Sequence, residues 1–116
     1  MSDPVHPMQR QPGRQRWRAA FTASKHATAG LISQIDVEAA GHGVRVDGVA
    51  PGGVKTGMAA AYVEDPGVSA FIRQATPLGR WAEPQEVADA VLFVACDEAC
   101  CITGTVLRVD GGLCSK

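Results

Sequence analysis

From Thr22 to Ala40, apolar side chains recur at Ala27, Leu31, Ile35 and Ala39, with Ile32 beside them. This spacing predicts one face of a helix of about five turns, closed by Gly41. Ala23, Ala27 and Gly30 form a second face of small residues. Gly30 costs such a helix roughly 1 kcal/mol relative to alanine, a cost that a close neighbour or tight internal packing explains equally well. The run Val44 to Val49 then reads as a β-branched strand that stops at Pro51 and two glycines. Between Gly57 and Arg80 the periodicity is weak and Glu64 to Gly67 mark a turn, so one or two short helices are expected. From Pro84, a favoured first residue of a helix, Val87, Ala88, Val91, Leu92 and Ala95 build a buried stripe through to about Cys96. A second strand, Thr105 to Val109, ends at Asp110, Gly111 and Gly112.

The order is helix, strand, short helices, helix, strand. Near-continuous Val/Leu content predicts parallel strands buried on both faces and joined by a right-handed crossover. Two such strands do not close a core. The expected fold class is therefore α/β, an incomplete portion of a doubly wound parallel sheet.

Composition narrows the function classes. Apolar residues make up 46% and charged residues 20%, as in a soluble globular protein. No apolar run approaches the roughly 20 residues that span a bilayer, so no membrane role is expected. Four arginines precede Ala19 (Arg10, Arg14, Arg16, Arg18) against Asp3, and the remainder carries seven basic and eleven acidic residues. No basic face remains for nucleic acid. Pro4, Pro7 and Pro12 argue against a targeting helix at the start, and residues 1–18 read as a disordered or accidental extension. The cysteines, Cys96, Cys100, Cys101 and Cys114, lack the paired spacing of a zinc site and read as reduced, buried small hydrophobes of a cytoplasmic protein. His6, His26 and His42 share no spacing with them and read as surface or capping residues. No metal is expected.

In open α/β sheets, ligands lie beyond the carboxyl ends of the strands, where Ala50 to Thr56 stands. Small residues there let a ligand reach backbone N–H groups, and Thr56 offers a hydroxyl near a helix start, where anions are favoured. A structural turn needing glycine looks the same. A phosphate-gripping loop demands G-x-x-x-x-G-K-[ST]. Gly48 and Gly53 have that separation, but Val54 takes the lysine position and Lys55-Thr56 arrive one residue late. No G-x-G-x-x-G is present.

Four stretches in order and register, AAFTASKHATAGL, VRVDGVAPGGVKTGM, PLGRWAEPQEVADAVLFVA and ITGTVLRVDGG, resemble the C-terminal half of the short-chain dehydrogenases/reductases. The resemblance runs from Ala19 to about Gly112. It implies a Rossmann-type sheet, of which this chain supplies the closing strands, and hydride transfer between NAD or NADP and a small-molecule alcohol or ketone. The family's active-site pattern is Y-x-x-x-K, whose tyrosine exchanges the proton while the lysine lowers its pKa and holds the nicotinamide ribose. Lys25 matches the lysine and Phe21 occupies the tyrosine position. Pro51, Gly52, Val54 and Thr56 match the loop that holds the nicotinamide carboxamide and the neighbouring phosphate. The family's catalytic serine belongs near Met8, where only Ser2 is in the vicinity. Asp47 stands where asparagine is common, and the cysteines stand where serines or an aromatic are commoner.

The resemblance thus implies an NAD(P)-dependent oxidoreductase fragment, inactive alone, with residues 1–18 out of frame or newly acquired ahead of a truncated domain at 19–116. A non-catalytic association module that forms homo-oligomers or joins an intact relative is the alternative. A degenerate phosphate-loop nucleotide binder is the third reading.

Overall fold

The computed structural model describes residues 18–115; most of the predicted N-terminal extension lies outside the described residues. Helix α1 spans Arg18–Ala40, β1 Gly48–Pro51, α2 Ala60–Val63, α3 Pro66–Ala75, α4 Pro84–Ala95 and β2 Val106–Val109. Short 3-10 turns occupy Gly57–Ala59 and Asp97–Ala99. The strands pair in parallel, with Gly48 opposite Val106 and Pro51 opposite Val109.

Helix α1 begins four residues earlier than the periodicity predicts and ends, as expected, just before Gly41. Its hydroxyls fold back onto the helix: Ser24 donates to the Phe21 carbonyl and Thr28 to that of Ser24. The helix runs antiparallel to the strands. Its Asp36 accepts a hydrogen bond from the Thr103 hydroxyl ahead of β2, whereas Ile32, one turn earlier, lies over the start of β1. A Cβ on Gly48 would come within 2.5 Å of the Ile32 Cδ1, so any larger residue there would make the Ile32 side chain shift.

Both strands start later than predicted, at Gly48 rather than Val44 and at Val106 rather than Thr105. The cause is Arg45. Its Nη1 donates to the carbonyls of Val94 at 2.7 Å and Ile102 at 3.0 Å, and Nη2 to that of Cys96 at 3.1 Å. Nη1 also pairs with Asp47, whose other oxygen accepts from the Thr105 amide at 3.1 Å. The approach to β1 is thereby held by a side-chain socket, with one backbone bond from the Gly104 amide to the Val46 carbonyl at 2.8 Å beside it.

Helix α4 starts at Pro84 as predicted, yet its stripe is not buried. Val91 and Leu92 are exposed, as is Phe93, and only Val94 is buried. The strands, expected to be covered on both faces, are half-buried. Helix α4 packs against a two-stranded sheet with the face bearing Val94, and that sheet leaves the other side of α4 without a neighbour. Phe21, Leu31, Ile35 and Val37 of α1 are exposed for the same reason. Ala23, Ala27 and Gly30 are also exposed, and no atom lies within 4 Å of where a Gly30 Cβ would stand. The buried apolar residues lie off the strands instead: Ile72, Trp81 and Leu113 toward their carboxyl ends, and Val94 and Ala99 near where they begin.

Replacing Arg45 with alanine removes four hydrogen bonds and strands Asp47, whose side chain is only 4% exposed, without its cation. The expected loss is about 3 kcal/mol, measured as a lowered midpoint of urea unfolding at unchanged slope. Asp47→Asn, which keeps an acceptor for the Thr105 amide, should cost less.

Candidate nicotinamide-side site

The loop leaving β1 is fixed from several directions. The Gly52 amide donates to the Val109 carbonyl at 3.1 Å. Gly53 is buried against the face of Trp81, where a Cβ would lie 3.1 Å from the ring, so the backbone rests directly on the indole. Trp81 is in turn held by a 3.4 Å bond from its Nε1 to the Ser69 hydroxyl of α3. Val54 bridges Ala82 in parallel: the Ala82 amide donates to Gly53 at 2.8 Å and the Lys55 amide to Ala82 at 3.0 Å. The Lys55 ammonium pairs with Glu83. Lys55 is therefore turned toward α4, and Gly48 lies inside β1, an arrangement unlike a phosphate-gripping loop.

The donors left on the loop include the Val54 amide and the Thr56 hydroxyl. Among the described residues the Val54 amide reaches no acceptor, because the bridge to Ala82 uses its neighbours' groups. Thr56 stands at the head of the Gly57–Ala59 turn, and its hydroxyl makes no capping bond. An unpaired N–H followed two residues later by a hydroxyl at a strand's carboxyl end suits the amide and phosphate of a nicotinamide nucleotide, so the residues present fit such a group.

Phe21 and Lys25 are both exposed on α1, four residues apart on one face. The Lys25 ammonium lies 5.4 Å from the Phe21 ring centroid, a cation–π contact. Lys25 is seven residues up the helix from Ile32, about 10 Å at 1.5 Å per residue. Pro51 is three residues up the strand from Gly48, also about 10 Å. Because helix and strand run antiparallel with Ile32 over Gly48, Lys25 stands level with the start of the loop.

Several residues that shape the site escape a reading by periodicity. Glu83 and Glu86 form a reciprocal capping box at the head of α4, and Arg80 grips Glu86 with two bonds of 2.7 and 2.6 Å. The spacing of Glu83 and Glu86 around Pro84 was a signal for this cap. The bonds from Arg80 and from the Glu83 backbone hold the Glu86 carboxyl at about 2, below its usual 4.5. Partial burial pushes the Asp110 carboxyl up, but bonds from the Cys114 thiol and from the Cys114 and Gly112 amides outweigh it and leave the group below its ordinary value. A cavity of about 590 Å³ opens beside Gly53, bordered by Arg80, Glu86, Arg108 and Asp110.

The cysteines depart from expectation. Cys100 and Cys101 are exposed, while Cys96 and Cys114 are half-buried. His26 and His42 are on the surface, as predicted; His6 lies outside the described residues. Among the described residues no cluster of three His, Cys, Asp or Glu could hold a metal ion, and no helix is long and apolar enough to cross a membrane.

Parallel strands joined through helices, with a glycine loop and free donors at their carboxyl ends, define part of an open α/β dinucleotide-binding sheet. A family model described as Enoyl-(Acyl carrier protein) reductase matches residues 10–114, and the chain belongs to the short-chain dehydrogenase/reductase family. The chain is 39% identical over 95 residues to the A-factor type gamma-butyrolactone 1'-reductase of Streptomyces virginiae, covering 81% of this chain and 37% of that protein. It is 40% identical over 93 residues to the 5-keto-D-gluconate 5-reductase of Escherichia coli K12, covering 80% and 37%. Among solved structures, 4-hydroxyisoleucine dehydrogenase complexed with NADH superposes with a TM-score of 0.84 at 29% identity, over 91% of this chain and 43% of that one. A gluconate 5-dehydrogenase from Burkholderia cenocepacia, in complex with NADP and tartrate, gives a TM-score of 0.81 at 31% identity, over 90% and 41%. The chain thus spans about two fifths of the relatives it matches. The family match begins nine residues ahead of Ala19.

The Glu86 pairing has a pH signature. Its carboxyl is depressed in the folded chain, so its contribution is complete above the unfolded value near 4.5 and is lost as pH falls toward 2. Urea midpoints measured across that window should fall less steeply for Glu86→Gln than for the parent chain. Equal slopes would show that the Arg80 pair carries no stability.

Proposed function

We propose that this chain carries the nicotinamide side of an NAD(P)-dependent oxidoreductase site and does not turn over by itself. The observation that carries the proposal is Phe21, standing one helical turn before Lys25 on the exposed face of α1. NAD or NADP, when bound, gives or takes the hydride exchanged with an alcohol or carbonyl carbon. Lys25 would hold the nicotinamide ribose, the Val54 amide its carboxamide, and the Thr56 hydroxyl the adjoining phosphate, with Pro51 and Gly52 setting the loop's path. These assignments follow the family resemblance, and the unused donors on Val54 and Thr56 support them. The Phe21 ring has no proton to give or accept. General acid–base help is typically worth about 10² to 10⁴ in rate, and Phe21 cannot supply it. The 116 residues also hold no glycine-rich G-x-G-x-x-G for the pyrophosphate.

The purified chain should show no detectable oxidation of NADH or NADPH with alcohol or ketone substrates, and weak or no binding of either. Saturable micromolar binding, followed by quenching of Trp81 beneath the loop, would overturn the second statement. Phe21→Tyr alone should remain without turnover; measurable activity in that variant would show that the lost proton donor is the only deficit.

A second reading, that of an association module, is favoured by the exposed side chains of Phe21, Leu31, Ile35, Leu92 and Phe93. Sedimentation should then detect self-association or binding to an intact relative. A stable monomer with no affinity for one removes this reading.

A further inference from the structure

Three of the four cysteines fall within the six residues 96–101, and the oxidoreductase site uses none of them. Their surroundings differ. Cys96 is half-buried and donates its thiol to the Phe93 carbonyl at 2.9 Å. Cys114 follows β2, where its amide donates to Asp110. Cys100 and Cys101 are both exposed and adjacent, at the end of the Asp97–Ala99 turn, where the Cys100 amide is fixed on the Asp97 carbonyl at 3.1 Å. Among the described residues these cysteines are in no disulfide.

Consecutive Cα atoms are about 3.8 Å apart, below the roughly 4.4 Å at which ordinary disulfides begin. Direct S–S closure of this pair is therefore strained, and both thiols stay available. A single large soft atom inserted between the sulfurs relaxes that constraint. Among the described residues no group of three His, Cys, Asp or Glu could hold a metal ion, which sets the pair apart from a tetrahedral zinc site.

We propose that Cys100 and Cys101 form a two-thiol capture site for trivalent arsenicals. With a monosubstituted arsine oxide, two As–S bonds form, the As–O bond is lost, and the two thiol protons leave with that oxygen as water; arsenic remains trivalent and no oxidant is needed. Once the first sulfur is attached, the second reacts intramolecularly at a high effective concentration, so monothiols compete poorly.

Phenylarsine oxide added to the full, reduced chain should give one phenylarsenic group per monomer in the intact mass. The adduct should map to the peptide containing residues 100–101, survive excess glutathione and be stripped by a small dithiol. Cys100→Ser and Cys101→Ser should each lose the glutathione-resistant adduct, whereas Cys96→Ser and Cys114→Ser should keep it. Removal by glutathione, mapping to another peptide, an adduct shared between two chains, or loss in Cys96→Ser would each overturn the assignment. Mapping on the parent chain decides the question even where a serine variant fails to fold.

Discussion

The Arg45 guanidinium holds together segments that the backbone ladder alone would not. It reaches the last turn of α4 through Val94, the turn beyond it through Cys96 and Ile102, and the entry to β1 through Asp47. Four carbonyl or carboxylate acceptors converge on one planar donor, a geometry that suits arginine and not lysine. Asp47 passes the constraint on by accepting the Thr105 amide just ahead of β2. The register of the strand pair, Gly48 against Val106, is set within one residue of that bond. Four-residue strands contribute few ladder bonds of their own, so this socket bears on whether β1 and β2 start together.

From that origin the constraint reaches the loop. Once β1 is in register, Pro51 ends opposite Val109, and the next amide, Gly52, can still bond to Val109. The following residue lies flat on Trp81, and Val54 is held by its neighbours against Ala82. Val54 and Thr56, which offer donors, are thus carried on a backbone fixed on both sides. Preorganisation of this kind lowers the ordering cost that a bound nucleotide would otherwise meet. It also explains why Glu83, which heads α4 and pairs with Lys55, belongs to the same unit as the loop.

Much of this was legible in the sequence, and the failures have identifiable causes. The family resemblance singles out Phe21 and Lys25; the 3.6-residue repeat predicts a helix only from Thr22, and the structure extends it back to Arg18 so that both stand on α1. Pro51, Gly52 and Thr56 announced the end of a strand and the start of a turn. The onset of β1 was misread because Val44 and Val46 alternate with Arg45 and Asp47 as they would in a half-buried strand; the pattern is real, but the polar members enter a socket formed by residues some fifty positions away. The spacing on α4 predicts a buried stripe that the structure does not show, because periodicity reports what a helix is able to bury and not which neighbours it has. The average behaviour of free thiols predicts burial for the cysteines, whereas Cys100 and Cys101, just past the buried Ala99, are exposed.

On the proposed function, Phe21 and Lys25 would keep the shape of a site while changing its chemistry. An exchange of tyrosine for phenylalanine deletes one hydroxyl and leaves the ring, so the helix face changes little in volume. The electrostatic relation to the neighbouring ammonium is altered in kind. A phenolic oxygen near Lys25 would be drawn toward ionisation by the positive charge, whereas the Phe21 ring offers only its π face at 5.4 Å. The contact that remains is attractive and holds the two side chains together, but it has no protonation state to tune. Lys25 therefore keeps whatever it contributes as a charge and a hydrogen-bond donor, and loses the partner whose pKa it would have shifted. Binding determinants on the loop and the helix can persist under such a change, because none of them depends on the proton.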